Sequence, residues 1–449
     1  MEKILVMGIG KSGMAAVKLL YGKAELSVWD VKPEEELDAE NVVWLKDHAV
    51  TCYFAVTPTE EFDRVVISPG IKPNNEVAKL GKDLIGELEL AYETCKGTFI
   101  AITGTNGKTT TTTLTGLIAA AEGLESFTVG NIGDPVCDIA NQTTDKSILV
   151  TEVSNYQLET IHKFRPHISA IVNLSPDHLD RHGSEEEYYR CKERIFENQT
   201  EEDILVYNGD DEQTVKSVSK AVEPLKVMFT RKKTDVELSG IDNVAYIKDE
   251  KIVVRKDGKD HDIIKLEELQ VIGGHNVDDI LCACAISIFA GIKQGTIAKV
   301  LRTFKGVEHR LEFVRELKGV KYINDSKGTN PDASIRAIEA INQPIILIAG
   351  GYEKNLDFTS FVNAFGDKVR YLILLGQTAA KIEKAALEAG YKDEDIIKCN
   401  SMDACVAAAH RLAESGDCIL LSPACASWDM YKSFEERGDD FKKLVKGLK

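Results

Sequence analysis

The stretch FIAITGTNGKTTTTTLTGLIAAA, Phe99–Ala121, decides the fold. Its opening apolar run, Thr98 to Ile102, reads as a buried strand. A glycine loop follows, then Lys108 and the hydroxyl residue Thr109, then a run with helical character. That order is the layout of a phosphate-binding loop. Backbone N–H groups of Gly104, Thr105, Asn106, Gly107 and Thr110, together with the helix N-terminus, would surround phosphates. Lys108 would lie against the β/γ oxygens, and the Thr109 hydroxyl would face Mg²⁺. The strict pattern has glycine where this chain has Ile102, so the loop is a variant. A Gly-Asn turn ahead of a threonine-rich helix explains the order of parts less well.

Further strands surround this core: SILVTEV, HISAIVNL and DILVYN. Glu152 ends the first of them, where an acid can face the loop from a neighbouring strand or be an ordinary surface acid. NLSPDHLDRHG places a histidine and two acids past a strand end, a common functional location that also forms plain turns. By chemistry alone Asp177 is a better Mg²⁺ ligand there than His178. A second glycine loop, GIGKSG (Gly8, Gly10, Gly13), follows the strand Lys3 to Met7. Met14, Val17 and Leu20 recur after it at helical spacing, and Asp30 ends the run Glu25 to Trp29. Taken alone, this fingerprint favours a nicotinamide or flavin enzyme over other diphosphate-binding uses.

Alternating strands and helices divide the chain into three α/β sections with joints near residues 94 and 305. Residues 1–94 form a Rossmann-like domain and 95–305 a P-loop ATPase-like domain. Antiparallel hairpins between about Lys226 and Ile264 attach to the latter. Residues 306–449 form a further Rossmann-like, doubly wound domain. A hydrophobic fraction of 43% and a charged fraction of 28% belong to a soluble globular protein. No apolar run approaches membrane-spanning length and no secretory signal opens the chain, so the expectation is a cytoplasmic protein with no membrane partner. The ten cysteines read as small buried thiols, not as a disulfide framework. A net charge of −17 argues against nucleic acid as a partner. An anionic small substrate would be held by local lysines, arginines and helix N-termini.

GTNGKT, TEVSNYQLE, SPDHLDRHG, YYRCK, GGHN, EHRLE, DSKGTNPDA and SPACASWDMYKSFEERG resemble, in order, the ATP-dependent Mur ligase family of peptidoglycan precursor synthesis. The resemblance covers nearly the whole chain and is nearest to the D-glutamate-adding branch. It implies a ligase that joins D-glutamate to UDP-N-acetylmuramoyl-L-alanine through an acyl phosphate. It also implies ATP and two Mg²⁺ ions. Lys108 and Thr109 would hold ATP phosphates and Mg²⁺. Glu152 and His178 would be metal ligands, which replaces Asp177 by its neighbour. Lys192 would be carried as a carbamate; without the resemblance it reads as a solvated helix lysine.

Asn276, Arg310 and Asp325 match nucleotide contacts. Lys11, Ser12, Asp30, Lys32, Ser68, Asn131, Ser154, Gln157 and His178 match the UDP-substrate site. Lys327, Thr329, Lys354, Ser427 and Phe434 match the D-glutamate site. The third section is expected to close over the second around ATP, and the protein to be a monomer. Tyr352, Asp279 and Asn155 stand where relatives commonly carry other residues. A sister ligase adding another amino acid, a nicotinamide oxidoreductase and a non-catalytic nucleotide-binding protein are the rival readings. The last is disfavoured because Lys108, Thr109, Glu152, His178 and Lys192 are all present.

Overall fold

A computed structural model describes residues 1–271, 273–353 and 356–449. The first sheet holds β1 (Lys3–Met7), β2 (Glu25–Asp30), β3 (Thr51–Phe54), β4 (Phe62–Ile67) and β5 (Gly81–Gly86), in the order β3-β2-β1-β4-β5. All pairs are parallel, with Val6 opposite both Val28 and Val66. Val6, Val28 and Val66 pack on one face with Met14, Val17 and Leu88, and Leu5, Met7 and Val65 are buried on the other, so the central strands read as continuous apolar runs.

The second sheet holds β6 (Thr98–Thr103), β7 (Ser126–Gly130), β8 (Ile148–Glu152), β9 (Ile168–Ile171), β10 (Ile204–Asn208), β11 (Leu225–Phe229), β12 (Val244–Lys248), β13 (Lys251–Lys256) and β14 (Lys259–Lys265). Its order is β14-β13-β12-β11-β10-β9-β6-β8-β7. The expected antiparallel hairpins are there but extend this same sheet, and they begin at β12, because β11 still pairs parallel to β10. The β12–β13 turn has Asp249 and Glu250 at positive φ, and the β13–β14 turn has Asp257 and Gly258. Two-residue turns of this kind match strand twist.

The third sheet holds β15 (Glu312–Leu317), β16 (Val320–Asn324), β17 (Ile345–Ala349), β18 (Val369–Leu374), β19 (Ile396–Lys398) and β20 (Cys418–Leu421), in the order β15-β16-β20-β17-β18-β19. It is parallel except for the β15–β16 hairpin.

The chain forms two compact units. Met1–Pro176, Ser184–Glu268 and Asp278–Leu301 make the first; Asp177–Gly183, Leu269–Val277 and Arg302–Lys449 make the second. One hydrophobic cluster runs through both sheets of the first unit, from Ile4 and Leu88 to Val136, Phe99 and Phe164. None of the ten cysteines is in a disulfide, and Cys282 and Cys284 are fully buried. No helix among the described residues is long and apolar enough to cross a membrane.

Candidate active site

The loop Gly104–Gly107 leaves β6 between its neighbours β8 and β9 and enters the helix Lys108–Glu122. Asn173, just past β9, fixes the loop. Its Oδ1 accepts from the Asn106 N–H at 2.9 Å, its Nδ2 donates to the Asn106 carbonyl at 2.9 Å, and its own carbonyl accepts from the Thr105 N–H at 2.9 Å. The Thr105 hydroxyl donates to the Ser175 carbonyl at 2.9 Å and lies 3.1 Å from the Tyr188 hydroxyl. Gly107 has φ +82, and a Cβ there would sit 2.2 Å from Asp279 Oδ1. Asp279 therefore abuts the phosphate loop from the helix Gly274–Phe289.

Lys108 Nζ donates to the carbonyls of Gly104 and Thr105, each at 2.9 Å. Lys192 Nζ donates to the same Gly104 carbonyl at 2.8 Å and lies 4.9 Å from the centre of the Tyr188 ring. Lys192 is 1% exposed, which removes its reading as a solvated lysine. Tyr188 and Lys192 are one helical turn apart on Glu185–Glu193, and both are buried. Its amine is thus held out of water against the carbonyl that opens the glycine loop.

Glu152 at the end of β8 is not a surface acid: it is 2% exposed. Its Oε1 accepts from Asn131 Nδ2 at 2.8 Å, while its buried Oε2 has no hydrogen-bond partner among the described residues. A buried carboxylate oxygen without a donor calls for a cation. With the Thr109 hydroxyl at the helix N-terminus, the donor set is hard oxygen, which suits Mg²⁺. His178 lies in the second unit at φ +53, capping the short helix Leu179–His182. Its N–H donates to Asp177 Oδ1 at 2.8 Å, and Asp177 Oδ2 accepts from Asn330 Nδ2 at 3.3 Å.

In the first sheet, Asp30 accepts from the N–H groups of Ile9 and Lys32, both at 3.1 Å, and so shapes the GIGKSG loop. The Ser68 hydroxyl donates to the Gly8 carbonyl at 2.9 Å. A Cβ on Gly13 would lie 1.7 Å from the Gly8 carbonyl oxygen, so only glycine fits. Lys11 and Ser12 open the helix Lys11–Leu20, and the Lys32 side chain is exposed. Lys11 Nζ donates to the Gly133 carbonyl at 2.6 Å and pairs with Asp134 at 3.3 Å. Ser154 and Gln157 form a capping box at the start of Asn155–Leu158. The Asn131 N–H donates to the Glu152 carbonyl at 2.9 Å.

In the second unit, Asn276 and Arg310 meet on a cavity of about 820 Å³ whose walls also carry Lys305, Glu308, Glu312 and Gln343. Asp325 is not on that wall. It accepts from the Leu311 N–H at 3.2 Å and the Ser422 hydroxyl at 2.7 Å, and burial pushes its pKa up to about 6. Lys327 Nζ lies 5.1 Å from the centre of the Phe434 ring. The Thr329 N–H donates to the Lys327 carbonyl at 2.9 Å. Ser427 is buried, and its carbonyl accepts from the Met430 and Tyr431 N–H groups. Tyr352 donates its N–H to the Ala426 carbonyl at 2.9 Å, and its ring is 5.6 Å from exposed Trp428. Lys354 lies outside the described residues.

Asn173, Ser175 and Tyr188 were not singled out from the sequence, although the first two lie in NLSP and the third in YYRCK. Their roles rest on hydrogen bonds to residues about 70 or more positions away, which no local pattern reveals. Arg437 in SFEERG was missed in the same way; it is buried against loops that follow β16 and β20.

Residues 102–287 match the family model of the Mur ligase middle domain, and residues 309–425 match that of the Mur ligase glutamate ligase domain. The UDP-N-acetylmuramoylalanine–D-glutamate ligase of Thermoanaerobacter pseudethanolicus is 45% identical, with 100% of this chain and 99% of that protein covered. The protein of the same name from Caldanaerobacter subterraneus is 46% identical at the same coverage. Among solved structures, the UDP-N-acetylmuramate–alanine ligase of Thermotoga maritima has the same fold, with a TM-score of 0.60, 18% identity and 100% of both chains covered. The nicotinamide reading of GIGKSG has no place beside these relatives. The chain belongs to the Mur ligases, a family of ATP-dependent amide-bond-forming enzymes.

Proposed function

We infer that this chain joins the amine of D-glutamate to the L-alanine carboxylate of UDP-N-acetylmuramoyl-L-alanine, using ATP, in peptidoglycan precursor synthesis. Relatives named for that reaction match it over its whole length. One structural observation carries the chemistry: Lys108 and buried Lys192 share the Gly104 carbonyl, in the same unit as the unpartnered Glu152 oxygen.

The substrate carboxylate attacks the γ-phosphate, giving an acyl phosphate and ADP. The amine of D-glutamate then attacks the acyl carbon, and phosphate leaves the tetrahedral species. Such transfer needs in-line positioning and charge neutralisation more than covalent help. The N–H groups of Thr105 and Asn106, expected from the sequence to face phosphate, are instead taken by Asn173. Those from Gly107 to Thr110 at the helix N-terminus cradle the phosphates, and Lys108 turns from its loop carbonyls to the β/γ oxygens. Thr109, Glu152, His178 and Lys192 as a carbamate would hold two Mg²⁺ ions, which when bound neutralise phosphate charge. Carbamylation joins the neutral Lys192 amine to CO₂ with loss of a proton, turning a cation site into an oxygen ligand.

Asn276, Arg310 and Asp325 serve the nucleotide, Asp325 by holding the loops after β16 and β20. Lys11, Ser12, Asp30, Lys32, Ser68, Asn131, Ser154, Gln157 and His178 serve the UDP-substrate. Lys327, Thr329, Lys354, Ser427 and Phe434 serve D-glutamate, whose two carboxylates need cations and oriented donors. Residues 1–94, 95–305 and 306–449 are then the substrate, ATP and amino-acid segments of a monomeric cytoplasmic enzyme.

The test is phosphate release with UDP-N-acetylmuramoyl-L-alanine, ATP and a panel of amino acids. Turnover with D-glutamate alone is expected. Turnover with L-alanine or another amino acid, and none with D-glutamate, would reject the assignment.

A further inference from the structure

Arg437, on the helix Phe434–Gly447, is 2% exposed. A buried guanidinium is costly unless its donors are met. Here every acceptor among the described residues is neutral. Nε donates to the Ser326 hydroxyl at 2.9 Å and Nη2 to the Ser326 carbonyl at 2.7 Å. Nη1 donates to the carbonyls of Cys425 at 3.1 Å and Ala426 at 3.3 Å. The Ser326 hydroxyl in turn donates to the Phe434 carbonyl at 2.8 Å. Burial pushes the Arg437 pKa down to about 10, so the group keeps its charge at neutral pH.

These contacts tie together the loop after β16, the loop after β20 and the first turn of the last helix. Three of the four tied residues stand on or beside a residue assigned above to D-glutamate: Ser326 beside Lys327, Ala426 beside Ser427, and Phe434 itself. The planar fork is suited to this task, because it fixes several carbonyls in one plane where an ammonium would fix one point.

We propose that Arg437 is a positioning residue for the amino-acid substrate: its fork sets the spacing of Lys327, Ser427 and Phe434, and its charge stands behind the loops that carry them. This rests on the D-glutamate reading given above.

The test measures KM for each of the three substrates, and kcat, in the full-length enzyme carrying Arg437→Lys, Arg437→Met or Ser326→Ala. Ser326→Ala removes the acceptor of Nε and the donor to Phe434 but leaves the cation in place. KM for the amino acid should rise about fivefold in Ser326→Ala, about tenfold in Arg437→Lys and about fiftyfold in Arg437→Met, the lysine partly rescuing the charge. KM for ATP and for the UDP-substrate should stay within about twofold, and kcat at saturating amino acid within about threefold. An unchanged amino-acid KM in folded Ser326→Ala and Arg437→Lys overturns the proposal. So does an equal rise in all three KM values, which is what a merely structural role gives. If Arg437→Met does not fold, Ser326→Ala decides. The wild-type amino-acid panel tests the D-glutamate reading separately. An enzyme that prefers another amino acid refutes that reading and leaves Arg437 to be judged on the KM of the amino acid it accepts. An enzyme that accepts none refutes both.

Discussion

The two glycine loops of the first unit begin alike and end differently. Each follows a strand of a parallel sheet and runs into a helix N-terminus. In the loop after β1, Lys11 points outward, 65% exposed, to Gly133 and Asp134. In the loop after β6, Lys108 turns inward onto its own loop carbonyls, and a second lysine, buried Lys192, meets it there. Neighbouring strands make the difference. The first loop is shaped by Asp30 and Ser68, the second by Asn173 and the Glu152 strand end. A helix N-terminus supplies phosphate affinity in either place, but only the second is built to hold opposite charges out of water. The segment from β7 to Asp138 touches both sides: Asn131 reaches Glu152, Lys11 reaches Gly133, and the Cys137 N–H reaches Glu87.

The sharpest way to break this contrast is to remove the inner lysines. Lys108→Ala and Lys192→Ala should each lower kcat by about 10³-fold. Only Lys192→Ala should be partly rescued by formate or acetate, whose carboxylate can replace the proposed carbamate. Full activity in unsupplemented Lys192→Ala would show that the carbamate role is misassigned.

Next in size is the seam between the loops. Burial holds the Glu87 carboxyl at about 7, against an ordinary value of 4.5, so the fold prefers it protonated. Its stabilising contribution is complete below about pH 4.5 and is lost as pH rises toward 7, by about 3 kcal/mol at most. Glu87→Gln should therefore raise Tm by about 3 °C at pH 8.5 and leave it nearly unchanged at pH 4.5. Equal shifts at both pH values would show that Glu87 is not the titrating group.

Asn173→Ala leaves the N–H and carbonyl of Asn106 without their side-chain partners and should cost about 2 kcal/mol. Thermal unfolding with and without ATP should show the loss, together with weaker stabilisation by ATP. Lys11→Ala is expected to do least. An exposed ion pair contributes little to stability, so Tm should hold while KM for the UDP-substrate rises about tenfold and kcat stays level. A fall in kcat matching that of Lys108→Ala would erase the distinction between the loops.

Much of the fold was legible because strand–loop–helix units announce themselves locally. The runs Lys3–Met7 and Thr98–Ile102, the glycines behind them and the helices that follow are each visible within about 20 residues. Lys108 and Thr109 were legible for the same reason. Lys192 and His178 were not: chemistry alone read one as solvated, which its burial overturns, and passed over the other for Asp177, and the roles proposed for both come from family resemblance. Asn173, Tyr188 and Arg437 lay in quoted motifs without a reason to choose them.

By itself, then, the sequence determined three α/β sections, the middle one carrying antiparallel hairpins, two phosphate-type loops and the order of the chemistry-bearing segments, because backbone periodicity and turn chemistry are short-range properties. Tertiary structure decided that Lys192 is buried on the Gly104 carbonyl, that Glu152 keeps one oxygen unpartnered, and that Arg437 ties two loops to the last helix. Burial and hydrogen-bond satisfaction belong to groups brought together from distant parts of the chain, and no window along the sequence contains them.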